Sequence, residues 1–151
     1  MSSLARPDPA FAADDGTADQ ALAQVLASYD AGESTDDDVL AALAANRLIV
    51  PVTALPAETV TDADGLVHDK TVEMALPVMI GTDGRRALPA FTSLEALSAW
   101  NPAARPVPVP TYRAAQGAVQ ENCAFLVVDP SGPVTFVADR TQLEFLAAQH
   151  P

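Results

Sequence analysis

Apolar positions recur along this chain with two different periods, and the switches between them mark the predicted elements. Leu22, Val25, Leu26 and Tyr29 follow the spacing of one helical face, and Gly32 ends that helix. Thr17-Ala18-Asp19-Gln20 fits a capping box ahead of it, in which a hydroxyl and an amide side chain satisfy orphan backbone groups reciprocally. A second helix is predicted from Ser34 or Thr35, with Asp36, Asp37 and Asp38 in its first turn and Val39, Leu40 and Leu43 on its apolar side. Together these read as an antiparallel helical hairpin.

The pattern then turns to strands. Leu48-Ile49-Val50-Pro51-Val52 is the first, and residues 55–72 read as a long, partly mobile loop. The nearly continuous apolar run Met74–Ile80 predicts one strand covered on both faces. Asp83-Gly84 is a hairpin signal returning through Arg86–Ala90. Thr92-Ser93-Leu94-Glu95 looks like a second capping box, and Leu94, Leu97 and Trp100 carry its helix. An Ala-rich helix spans Tyr112–Asn122, a strand Ala124–Asp129, a turn Pro130–Pro133 and its hairpin partner Val134–Val137. Asp139 caps a last helix bearing Leu143, Phe145 and Leu146.

Arg105-Pro106-Val107-Pro108-Val109-Pro110 yields to geometry. Backbone polar groups alternate sides along a strand, so three prolines at period two delete donors along one edge only. Val107 and Val109 then keep their amides toward the opposite edge and share one face. The segment is predicted to be an edge strand that cannot donate outward; a polyproline ligand would space its prolines as PxxP. The whole reads as an α/β fold: a mixed sheet of five to six strands with hairpins, covered by helices and preceded by the helical hairpin.

Composition adds limits. The 151 residues are 49% hydrophobic but only 5% aromatic, so the core must be built from Leu, Val and Ala. Net charge is −12 and unevenly placed. Residues 1–46 hold nine acidic side chains against Arg6, and residues 1–16 are expected to form a flexible acidic segment before a single domain over 17–151. Such charge argues against nucleic acid and anionic membranes as partners, and mimicry of nucleic acid is the weaker reading of it. No apolar run approaches a membrane span, the first residues lack a secretory core, and one cysteine excludes an internal disulfide; the expected compartment is the cytoplasm.

Candidate chemistry is sparse. Cys123 opens a buried strand instead of sitting in an anion-cradling loop, so it reads as an inert thiol and not a sulfurtransferase nucleophile. His68 and His150 lack partners at metal-ligand spacing, and neither is placed as a rigid catalytic base. Asp62-Ala63-Asp64-Gly65 starts like a calcium loop but has no terminal bidentate Glu, and reads as an Asx turn. Gly81-Thr82-Asp83-Gly84 leads into a strand and not a helix, which removes the physical basis for holding phosphate. No catalytic residue, cofactor or metal is expected. What stands out is a basic stretch: Arg85, Arg86, Arg105 and Arg113, with Trp100 as an apolar anchor, against Glu95 alone. Ordinary surface pairing of these arginines is the bland alternative.

Several segments occur together in order: Arg47–Val52, Met74-Ala75-Leu76-Pro77, Asp83-Gly84-Arg85, Phe91-Thr92-Ser93, Arg105–Val109 and Leu126–Pro133. In combination they resemble the SseB-type N-terminal domain family, over residues 15–148. The resemblance implies a compact α/β domain without catalytic residues to carry over, in a family named for enhanced serine sensitivity. Longer members carry a further C-terminal domain, for which this chain is expected to have no room. The expected function is a non-catalytic cytoplasmic binding or regulatory module that recognises another protein through the arginine surface. A small-molecule anion binder or enzyme using the same arginines is the alternative, and a homodimer is a third reading.

Overall fold

The computed structural model describes residues 11, 13–54, 59–61, 67–69 and 74–149. Helices α1 (Gln20–Asp30) and α2 (Asp36–Ala44) lead into β1 (Arg47–Ala54). Short strands β2 (Thr59–Thr61), β3 (Val67–Asp69), β4 (Met74–Ala75) and β5 (Met79–Ile80) precede β6 (Arg86–Ala90) and α3 (Leu94–Trp100). Strand β7 (Arg105–Pro110) runs directly into α4 (Thr111–Gln120), followed by β8 (Phe125–Val128), β9 (Phe136–Ala138) and α5 (Arg140–Ala147).

Two sheets carry the fold, ordered β4-β1-β7 and β5-β6-β8-β9, with β2-β3 as a separate ribbon. They join at one antiparallel bridge, where Ile49 and Phe91 exchange both backbone hydrogen bonds at 2.7 and 2.8 Å. That bridge also explains β7. Because Ile49 turns its amide and carbonyl toward Phe91, its neighbours Leu48 and Val50 turn theirs toward β7, opposite Val109 and Val107. Pro106, Pro108 and Pro110 therefore face the outer edge with no donor to offer, as the proline spacing predicts.

One sheet face packs under four helices. Leu22 and Leu26 of α1, Val39, Leu40 and Leu43 of α2, Ala114, Ala115 and Ala118 of α4, and Leu143 and Leu146 of α5 bury against Leu48, Val50, Leu88, Val107, Val109, Leu126, Val128 and Phe136. Each large side chain so removed from water contributes roughly 1.5–3 kcal/mol. Helix α3 alone covers part of the other face, where Ile49, Phe91, Ala96, Leu97 and Ala104 form a small second cluster.

Local chemistry shifts several predicted boundaries. The cap of α1 is Asp19, which accepts from Leu22 N–H at 3.0 Å, and not Thr17, whose own amide donates to Asp15. Helix α2 starts after Thr35, the second of the two predicted positions, and Thr35 forms a capping box with Asp38 that the sequence reading did not single out. At α3 the cap is Ser93 and not Thr92, because the Thr92 hydroxyl is committed elsewhere. Asp139 caps α5 with Gln142 completing its box, but Phe145 is exposed and not core.

Two strand readings are corrected. Met74–Ile80 is not one doubly covered strand: it breaks at residues 76–78 around Pro77, so that β4 pairs with β1 and β5 with β6, and Ile80 is 67% exposed. The predicted 55–72 loop contains the β2-β3 ribbon, and Asp62-Ala63-Asp64-Gly65 lies outside the described residues. Gly16, the last residue of the predicted acidic segment, is buried; its carbonyl accepts from Leu94 N–H at 2.8 Å, its φ is +80°, and a Cβ there would come within 2.2 Å of the Leu94 side chain.

Candidate interaction surface

Arg85 ends the hairpin between β5 and β6. Gly81 N–H donates to the Arg85 carbonyl and Gly84 N–H to the Gly81 carbonyl, with Gly84 in the left-handed region the turn requires. The Asp83 carboxylate accepts from the Arg85 amide at 3.0 Å and from its Nε at 2.6 Å, and these bonds hold it below the usual carboxylate range. So exposed a pair adds little stability, but it fixes where the guanidinium lies: 4.7 Å above the ring centroid of Phe125.

Phe125 belongs to a row of side chains on the sheet face opposite α4 and α5. Register places Met79, Ala87 and Phe125 side by side, and then Pro89, Val127 and Val137. On the covered face Leu126, Val128, Phe136 and Ala138 are fully buried, whereas Phe125 and Val127 are half-buried and Val137 is 47% exposed. Helix α3 reaches only the end of this face, at Ile49 and Phe91. Among the described helices none packs on the remainder; Ala87 and Pro89 of β6 are nevertheless buried, so the exposed apolar surface is the row Phe125, Val127 and Val137, with Arg85 lying across Phe125. The continuous apolar run Phe125–Val128 reads as a buried strand, so the sequence does not disclose that Phe125 and Val127 are only half-buried.

The other predicted residues are distributed as follows. Arg86 adjoins Arg85; its Nε donates to the Glu121 carbonyl at 3.0 Å and its guanidinium pairs with the Glu121 carboxylate at 3.7 Å. Trp100 is half-buried against Phe91, ring centroids 5.5 Å apart, and anchors the small cluster under α3. Arg105 is exposed where β7 starts, while Arg113 lies in the first turn of α4, beyond the other end of β7. A six-residue strand spans about 17 Å between its terminal residues. The structure thus brings Arg85 and Arg86 together and sets Arg105 and Arg113 at opposite ends of an edge strand.

Cys123 is buried just before β8, and burial pushes its thiol up, with Arg86 partly opposing. Among the described residues no group of three or more His, Cys, Asp or Glu could hold a metal ion, and no helix is long and apolar enough to cross a membrane.

The sequence profile of the SseB protein N-terminal domain matches residues 20–144. The chain belongs to the SseB N-terminal domain family. No curated protein matches it. The matched span of this SseB-type domain starts with the first residue of α1 and ends within α5, so the apolar row of β8 and β9 and the Arg85 hairpin both lie inside it.

Proposed function

We propose that this SseB-type domain is a non-catalytic binding or regulatory module that recognises another protein. The observation that carries the reading is the partly exposed apolar row Phe125, Val127 and Val137 on β8 and β9, with the Arg85 guanidinium held over Phe125. A contiguous exposed apolar surface is costly in water and marks a place where a partner packs. An arginine stacked on an aromatic ring and oriented by its own carboxylate presents donors to a partner with less rotamer entropy left to lose. The complementary partner is an apolar segment bearing an acidic side chain, with Arg86 within reach of the same contact. A reducing compartment such as the cytoplasm suits a chain whose single thiol is buried and unpaired.

Substitution on this exposed row and at Arg85 tests this. Val137→Arg and Arg85→Glu both alter outward-facing side chains and should leave the circular dichroism spectrum and melting temperature of the domain unchanged. Affinity purification of the tagged protein from its native host, followed by mass spectrometry, should recover a partner with the wild type and lose it with either variant. Reconstitution with the purified partner should then show binding at least about tenfold weaker. Identical recovery by all three proteins overturns the reading.

A further inference from the structure

The carboxyl ends of β6 and β8, the only parallel neighbours among the described strands, open onto a recess away from the surface just described. Its volume is about 530 Å³, which is the size of a small-molecule site. Leu26 and Ala27 of α1 form one wall, Ala96 and Ala99 of α3 the other, and the turn 131–134 closes one end. Asp129, directly after β8, and Thr92, two residues after β6, also line it.

Asp129 is the informative residue. It is 2% exposed and its backbone is left-handed, with φ of 53°. One oxygen accepts from Thr92 N–H at 2.8 Å and the other from the Thr92 hydroxyl at 2.7 Å. Two acceptor positions of the four are so filled, both by neutral donors. No lysine or arginine is among the described lining residues, and Glu95 of α3 adds a second carboxylate to the lining. Arg47, which approaches from behind to donate to the Thr92 carbonyl, is committed to Asp14. Burial pushes the Asp129 carboxyl above its ordinary range, and the two Thr92 hydrogen bonds oppose that only in part. A buried carboxylate without a cation is electrostatically incomplete.

We propose that the recess binds a small organic cation, its ammonium group on Asp129 and its compact apolar body between the alanine walls of α1 and α3. The two features select the same class: the carboxylate repels anions and is left incomplete by neutral molecules, while the apolar walls disfavour a bare, strongly hydrated ion. Pinning Thr92 to the turn would by itself be served as well by asparagine, and that difference makes the proposal testable.

Benzylammonium, benzyl alcohol and benzoate share one apolar body and differ in charge. Titrated into the full chain and followed by amide resonances, benzylammonium should shift Thr92, Ser131, Gly132 and Val134 saturably. It should bind about tenfold or more tightly than benzyl alcohol, and benzoate should not bind. Asp129→Asn, whose side chain tolerates the left-handed backbone, should lose about tenfold in benzylammonium affinity; Ala27→Phe, which fills the recess from an exposed helix position, should abolish binding with the helical signal intact. Absence of a saturable shift, equal affinity for the alcohol, or wild-type affinity in Asp129→Asn overturns the assignment. Should Asp129→Asn fail to fold, unchanged binding by Ala27→Phe overturns it alone.

Discussion

At the scale of single residues, Arg47 has the greatest influence on how the chain is held. Its Nε and one terminal nitrogen donate to the two oxygens of Asp14, while further bonds reach the Thr17 and Thr92 carbonyls, at 2.8 and 2.6 Å. One mostly buried side chain therefore ties the segment before α1 to the start of α3. Arg47→Ala leaves the Asp14 carboxylate unpaired and should cost about 3 kcal/mol in urea unfolding. The hydrogen bond to Arg47 is the main cause holding Asp14 below the usual carboxylate range. The folded value thus lies under the unfolded one, so this stabilisation is complete above roughly pH 4 and is lost as pH falls through the folded value. Unfolding measured across acid pH should show that loss in the wild type and a flatter profile in Arg47→Ala. None of this is legible in sequence, because Arg47 meets Asp14 and Thr92 across 33 and 45 residues with no local pattern to announce it. Thr92 misled for the same reason: as a threonine three places before a glutamate it looks like a cap, yet its hydroxyl goes to Asp129, 37 residues away.

Among the elements, those with a strong local period were legible and those shaped by their neighbours were not. The helix faces of α1 and α2 and the Asp83-Gly84 hairpin follow directly from residue spacing. The proline-spaced strand β7 did too, because removal of a backbone donor is a property of the residue itself. Met74–Ile80 was opaque, since an apolar run states that positions are buried without stating against which strand. Pro77 divides it, and the two halves find different sheets. The β7 edge supports a prediction of its own. Replacing Pro106 and Pro108 by valine restores two outward amides on an exposed edge without altering the inward Val107 and Val109. The doubly substituted domain should stay folded and associate edge to edge, seen as a rise in sedimentation coefficient with concentration that the wild type lacks.

Across the whole molecule, the α/β class and the presence of a helical cover on the sheet were readable from the alternation of periods. Two larger features were not. The partly exposed apolar row of β8 and β9 lies beyond α3, which is only seven residues long, and the recess at Asp129 depends on two parallel strands ending side by side. Both arise from topology, which pairs residues that composition and spacing treat separately. The join between the two sheets has a further consequence. Where the other described neighbours share two or more rungs of ladder, here β1 and the residue after β6 share one, at Ile49 and Phe91. The domain is bound like a book with one stitch of backbone in its spine, the leaves otherwise held by the helices that bury against both and by Arg47 reaching the Thr92 carbonyl. Hydrogen–deuterium exchange should therefore reach the Ile49 and Phe91 amides before those of Leu126 and Val128, even though all four lie in the interior.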